Sequence, residues 1–437
     1  MNVQSTRGHG PVALSEAIAK GQAPDGGLYM PAAVASIQGP WPDDFAGRAS
    51  KLLAPFFAGD ALLPELPHIV AESLSFAPQL RWLDDRTALL ELFHGPTSAF
   101  KDYGARFLAS CLARLMDPSH PNTVLVATSG DTGAAVAAAF WRRRGVRVVV
   151  LYPDGRVSQR QAHQLGSFGD NVTTYRVAGT FDDCQRMVKA AFADTELSRR
   201  HGLVSANSIS LGRLLPQMTY YAHAALELQA QGRGLMHVVV PTGNLGNALA
   251  CLLAREAGLP IGEVVLATNA NRALPDFLAT GEYAPRDSVA TLANAMDVGA
   301  PSNLERLRAR FAQPNAVVTA DSVDDATIRA TVAAAHTAWR EVVCPHTACG
   351  LAVLQRRREA ASPAASPAAG PATRAARDAS GTWVVAATAH PAKFADVIEP
   401  LIGGSVAVPP ALQRLLDRPA HSTPLAATDR ALAAALA

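Results

Sequence analysis

A chain of 437 residues, 49% hydrophobic and 17% charged, holds more apolar material than one simple core needs and predicts about two or three domains. Its formal net charge of +2 offers no electrostatic basis for binding nucleic acid or an acidic membrane surface, so any anion has to be held by local groups. The five cysteines, Cys111, Cys184, Cys251, Cys344 and Cys349, are odd in number and scattered, which argues against a disulfide framework and for a reducing compartment.

The opening Met1-Asn-Val-Gln-Ser-Thr-Arg-Gly8 has no apolar stretch of signal-peptide length, and no later segment is long enough to span a bilayer. A soluble, cytoplasmic protein is expected. From about residue 11 to 85, short helical patterns mix with Pro and Gly, among them Asp25-Gly-Gly-Leu-Tyr-Met-Pro31, a tight turn leading into an extended stretch. This predicts a helical N-terminal module.

Lys101 follows, in Glu91-Leu-Phe-His-Gly-Pro-Thr-Ser-Ala-Phe-Lys-Asp-Tyr-Gly-Ala-Arg106. Flanking Phe100 and Tyr103 would desolvate its ammonium, which favours a neutral amine able to form a Schiff base with a carbonyl cofactor. The competing reading is a lysine that merely starts a helix after the His94-Gly-Pro-Thr97 turn.

Beyond it, β-branched runs alternate with alanine-rich stretches, the pattern of a parallel sheet covered on both faces. Strands are predicted at 123–128, 146–152, 236–241, 263–268 and 382–388, with helices at 134–144, 158–166 and 247–257. Residues 356–381, rich in Ala, Ser and Pro, have no hydrophobic periodicity and read as a flexible surface insertion. Cys344-Pro-His346-Thr-Ala-Cys349 has no second cluster at ligand spacing, so no metal is expected.

Three strand-to-helix loops can carry chemistry. Thr128-Ser-Gly-Asp-Thr-Gly133 offers backbone N–H groups and the hydroxyls of Ser129 and Thr132 to an anion; Asp131 is the oddity, since a carboxylate there repels an anion unless it is hydrogen-bonded or points away. Gly243-Asn244-Leu245-Gly246-Asn247 lacks both the dinucleotide fingerprint and the P-loop ending, yet can cradle one phosphate. Thr388 ends the last strand, where its hydroxyl can meet a ring nitrogen, while His390 before Pro391 reads as structural. Asn207 and Arg213, in Ser205-Ala-Asn-Ser-Ile-Ser-Leu-Gly-Arg213, can grip an oxyanion or simply belong to a capped helix. An imine-forming lysine, a phosphate cradle, a carboxylate-shaped loop and a hydroxyl for a ring nitrogen together describe a pyridoxal-phosphate site.

These segments resemble the threonine synthase family nearly end to end. The resemblance rests on Ser5-Thr-Arg-Gly8, Ala23-Pro-Asp-Gly-Gly-Leu-Tyr29, His94 to Asp102, Ser129 to Gly133, Asn207-Ser-Ile209, Arg213-Leu-Leu-Pro-Gln217, Gly243 to Asn247, Asn294-Ala-Met-Asp-Val298, Thr388 to Phe394 and Val408-Pro-Pro410. It implies an α/β fold of pyridoxal-phosphate fold type II, like the tryptophan synthase β chain, with two parallel-sheet domains and a small helical N-terminal domain. The expected boundaries are 1–85 for that domain and 86–437 for the catalytic region, split at about 200 into a small and a large part. The implied reaction turns O-phospho-L-homoserine and water into L-threonine and phosphate, the last step of threonine biosynthesis.

By the same resemblance, Lys101 holds the cofactor and moves protons, Gly243 to Asn247 bind its phosphate, and Thr388 meets its ring nitrogen. Thr128, Ser129, Asp131 and Thr132 fall to the substrate carboxylate or the ring hydroxyl, and Asn207 and Arg213 to the substrate phosphate. No nucleic acid, membrane or metal is expected, and the assembly is a monomer or homodimer. Ser98, where relatives often carry Leu, and Arg156, where they carry a nearby Lys, are the departures. The rivals are a threonine or serine dehydratase of the same fold, a metabolite-binding homologue without activity, and a dinucleotide-dependent dehydrogenase.

Overall fold

The structure is a computed structural model that describes residues 2–117, 119–120, 122–361 and 381–437. The bulk of the expected insertion lies outside the described residues. Its first part does not: the helix Pro345–Ala361 runs on past Arg356, and Arg356, Arg357 and Arg358 on it pair with Asp321, Glu263 and Asp84.

The strands in chain order are β1 (Val3–Ser5), β2 (Tyr29–Pro31), β3 (Gln79–Asp84), β4 (Thr87–Glu91), β5 (Thr123–Ala127), β6 (Arg147–Pro153), β7 (Val172–Ala178), β8 (Leu203–Ser205), β9 (Leu235–Pro241), β10 (Ile261–Thr268), β11 (Thr319–Ser322), β12 (Gly381–Ala387) and β13 (Thr423–Ala426). A six-stranded sheet has the order β11-β10-β9-β12-β4-β3, parallel except for the β3–β4 hairpin. A five-stranded sheet, β13-β7-β6-β5-β8, is parallel throughout. β5 and β6 are buried almost end to end, which is why they read as unbroken Val and Leu runs rather than as alternation.

Strands are not shared between the sheets as a division at about residue 200 would have it. β4 leaves the first half to lie beside β12, and β8 and β13 return to the five-stranded sheet. The N-terminal part is helical as expected, with β1 and β2 forming a short antiparallel pair beside its helices, while β3, before residue 85, already belongs to the large sheet. Its helices Leu14–Lys20, Phe45–Leu53 and Leu66–Ser73 pack on the helices Lys101–Leu115 and Gln217–Ala230.

Two helices decide what faces the site. Gln159–Gly166 starts on a capping box between Ser158 and Gln161, and its buried face carries two glutamines, Gln161 and Gln164. A buried amide needs partners, and both amides find theirs in the loops described below. Arg306, with no exposed surface, donates to the carbonyls of Tyr29 (2.9 Å) and Ile209 (2.5 Å) and to Asn303 Oδ1 (2.6 Å), which ties the Asp25-Gly-Gly-Leu-Tyr29 turn to the catalytic region.

Candidate active site

The loops after β4, β5, β9 and β12 converge at the carboxyl ends of the parallel strands, where open α/β sheets bind ligands. The stretch before Lys101 is pinned to the loop after β12: Ala99 bridges Ala389, Phe100 donates to the Thr388 carbonyl (2.8 Å) and His390 to the Ser98 carbonyl (3.0 Å). Lys101 then opens the helix Lys101–Leu115. Its neighbour Asp102 is buried and accepts from Thr97 N (2.8 Å) and Thr97 Oγ1 (2.7 Å), closing the turn; burial raises this carboxyl to about 6.

Lys101 keeps part of its surface open to the crevice, yet desolvation dominates its chemistry. Loss of water lowers the amine to about 8; Asp131 opposes that shift, and the like charges of Arg213 and Lys393 add to it. Phe100 lies 5.6 Å below the nitrogen. Tyr103 does not take part as expected: its ring packs away in an aromatic cluster with Phe76 (4.6 Å), Tyr220 (5.1 Å) and Phe45 (6.1 Å).

Thr128 Oγ1 accepts from Gly130 N (2.9 Å) and Gly133 N (2.8 Å), so this hydroxyl builds the turn and keeps only its proton for a ligand. Ser129 and Thr132 are half-buried at the crevice. Asp131 is buried, and its Oδ1 takes an ion pair from Lys393 Nζ (2.7 Å) and a hydrogen bond from Gln161 Nε2 (2.9 Å). Burial alone would raise its pKa; Lys393 and, after it, Lys101 outweigh that and hold it below the usual carboxylate range. The carboxylate that looked anomalous in an anion loop is therefore charge-paired.

In the loop after β9, Gly243 is forced by close approach, since a Cβ there would stand 2.8 Å from Met296 Cα. Leu245 takes a left-handed conformation (φ 65°) and the helix Gly246–Glu256 begins immediately after it, leaving first-turn N–H groups without partners inside the helix. Asn244 is occupied structurally, with Nδ2 donating to Ser208 Oγ (2.6 Å) and Oδ1 accepting from Ser302 N (2.5 Å). Asn247 Oδ1 accepts from the hydroxyls of Tyr220 (2.5 Å) and Tyr221 (2.7 Å), while its buried Nδ2 has no partner among the described residues.

Arg213 is buried against the first turn of the Lys101 helix, where Gly104 makes room: a Cβ on Gly104 would meet the Arg213 carbonyl at 2.7 Å. One guanidinium nitrogen donates to Ala206 O (2.5 Å) and the Nε has no partner among the described residues. Desolvation lowers this guanidinium to about 10. Asn207 is half-buried on the same turn, its carbonyl accepting from Ser210 N (3.2 Å). Thr388 is 6% exposed at the end of β12.

Several residues of this centre escape a reading by motif. Lys393 sits in Pro391-Ala-Lys-Phe394, an apolar stretch after a buried strand; it belongs to the Thr388 to Phe394 motif, but no role was read for it there. Gln161 and Gln164 lie on a helix with no motif; Gln164 Nε2 donates to Thr97 O (3.1 Å), and Gln161 Oε1 accepts from Asn294 Nδ2 (3.0 Å). His346, considered above only as a metal ligand, accepts from Ala295 N at Nε2 (3.1 Å), and burial lowers it to about 4, so it is neutral. The described residues contain no group able to hold a metal ion.

Compared with known proteins, residues 85–366 match the family "Pyridoxal-phosphate dependent enzyme", residues 2–74 "Threonine synthase N terminus" and residues 347–436 "Threonine synthase, C-terminal". Threonine synthase from Serratia marcescens is 37% identical over 94% of both chains. This chain belongs to the threonine synthase family. The crystal structure of threonine synthase from Escherichia coli superposes with a TM-score of 0.89 at 34% identity, over 100% of this chain and 99% of that one. A PLP-bound threonine synthase from Brucella melitensis gives 0.86 at 31%, over 100% and 98%. As a member of the threonine synthase family the chain is a pyridoxal-phosphate-dependent lyase of the fold expected from its sequence. No helix of the described residues is long and apolar enough to cross a membrane.

The residues fit the cofactor. A desolvated lysine, a helix N-terminus behind a glycine loop, and the buried donors Asn247 Nδ2 and Arg213 Nε, which have no partner among the described residues, supply an amine, a phosphate cradle and anion donors.

Proposed function

We propose that this chain converts O-phospho-L-homoserine and water into L-threonine and phosphate, with Lys101 as the catalytic amine. The observation that carries the reading is the lowered proton affinity of Lys101, to about 8, on a helix start pinned to Thr388. An amine that titrates near neutrality can both accept and return a proton, the condition for general acid–base work.

Lys101 would hold the cofactor through its aldehyde carbon. The loop Gly243 to Asn247 would take the cofactor phosphate on the N–H groups of Leu245, Gly246 and Asn247, with the Asn247 amide behind them. Asn244 braces that loop from Ser208 and Ser302. Thr388 would face the ring nitrogen with a neutral hydroxyl, which leaves less positive charge on the ring than a carboxylate would. When bound, the ring supplies a sink for the electron pair freed at the substrate carbons.

Lys101 would take the proton from Cα of the substrate and serve the proton movements at Cβ. Ser129 and Thr132, half-buried beside the helix start at Asp131, would bind the substrate carboxylate. Asp131 is unsuited to that task by its charge and is better matched to the ring hydroxyl. Arg213, through the Nε that has no partner among the described residues, and Asn207 would hold the substrate phosphate until it leaves from Cγ.

Phosphate and threonine measured together on O-phospho-L-homoserine test the reading, with equal amounts expected. Formation of 2-oxobutyrate from threonine, with no phosphate release, would assign the chain to the dehydratases instead.

A further inference from the structure

Lys393 is 1% exposed, and the hydration a buried ammonium loses has to be offset by pairing and hydrogen bonds. Its two partners come from two different loops. The nitrogen donates to Thr97 O (2.9 Å), in the turn that leads to Lys101, and pairs with Asp131 Oδ1 (2.7 Å), after β5. Its own backbone is held as well: Lys393 O accepts from Ser158 Oγ (2.7 Å), and Ala392 O accepts from Arg160 (2.6 Å). The side chain is held in place at both ends.

We propose that Lys393 is a positioning residue that occupies the Asp131 carboxylate and so sets the charge balance in which the Lys101 nitrogen works. The inference rests on the reading of Lys101 as the cofactor-holding lysine.

The charges around Lys101 lead there. On its own helix, Asp102 is engaged by Thr97, and Arg106 reaches away to the carbonyls of Glu72 and Ser73. Arg213 faces it from the helix Leu211–Leu214 as a second cation. His346, beside Asp131, is neutral and provides no countercharge. Asp131 is thus the carboxylate that favours a protonated Lys101, and Lys393 is the cation that neutralises it. Gln161 adds a neutral donor to the same oxygen, which aligns the carboxylate without changing its charge.

Opposite signs follow for the two halves of the pair. Without the Lys393 charge, Asp131 turns its full field on Lys101 and the proton there is held more tightly. Without the Asp131 charge, Lys393 is an uncompensated cation and the proton is held less tightly. Removing both restores the balance. A pair that served only to brace the loops would not give shifts of opposite sign.

The test is a pH titration of the visible absorption of the bound cofactor, which reports the proton on the nitrogen that joins Lys101 to it, in holoenzyme of the wild type, Lys393→Met, Asp131→Asn and the double variant. Lys393→Met is expected to raise the midpoint by about 1 pH unit, ~tenfold in the proton equilibrium, Asp131→Asn to lower it, and the double variant to return close to wild type. Single variants that move together, or not at all, overturn the proposal. Should Lys393→Met fail to fold, Asp131→Asn against the double variant decides: a lower midpoint in Asp131→Asn supports the proposal and equal midpoints overturn it. Lys101→Ala tests the underlying reading separately, since a visible band surviving in that variant refutes the role of Lys101.

Discussion

Phe100 donates its backbone N–H to the carbonyl of Thr388 at 2.8 Å, so the residue before the proposed cofactor lysine is hydrogen-bonded to the backbone of the residue whose hydroxyl is proposed for the ring nitrogen. That bond and the Ala99–Ala389 bridge make the lysine loop an extra edge on the end of β12. A cofactor spanning Lys101 and Thr388 would therefore have both contacts set by main-chain geometry.

Cofactor loading should follow the titration of Lys101. The neutral amine is the reactive form, and with a pKa near 8 its fraction rises tenfold per pH unit below that value and levels above it. The rate of visible-band formation when apoenzyme meets pyridoxal phosphate is expected to rise from pH 6 to about 8 and then flatten. A rate still climbing tenfold per unit above pH 9 would mean an ordinary lysine.

Arg213→Gln should raise KM for O-phospho-L-homoserine far more than it lowers cofactor content. Loss of a charged donor to a phosphate is worth roughly 1.5–3 kcal/mol, or ~10–100-fold in affinity. Arg213→Lys keeps the charge and loses the Nε donor, so it should fall between. Unchanged KM in both, with the cofactor band intact, would remove Arg213 from the substrate site.

Gly243→Ala should weaken cofactor binding. The added carbon meets the Met296 backbone at 2.8 Å, so the cradle or the Asn294–Val298 turn has to shift, an overpacking cost of about 1–3 kcal/mol. Equilibrium dialysis of pyridoxal phosphate reads it as a rise of ~5–100-fold in Kd. Gly404→Ala, where the carbon meets nothing within 4 Å, is the control.

His346 makes stability depend on pH. Burial lowers it from 6.5 to about 4 in the folded chain, so between those values the unfolded state binds one more proton and stability rises with pH. Its contribution is fully present above pH 6.5 and is lost as pH falls to about 4, a change on the order of 3 kcal/mol. Thermal unfolding midpoints of the wild type should drop over that window more steeply than those of His346→Gln.

The sequence by itself determined the chemistry carried by local motifs. Lys101, the glycine and asparagine loop 243–247 and Thr388 stood out as candidates because a Schiff-base lysine and a phosphate cradle would need particular residue types at short spacing, and the buried parallel strands were legible as unbroken Val and Leu runs. Which sheet each strand joins was not, because β4 pairs with β12 and β13 with β7 through register between distant segments. Nor was the partner of Asp131, since Lys393 reaches it from the far end of the chain. The tertiary structure alone decided these points, for a physical reason: the field at Lys101 is set by buried charges on separate loops, and a charge's neighbours in space leave no spacing in the sequence.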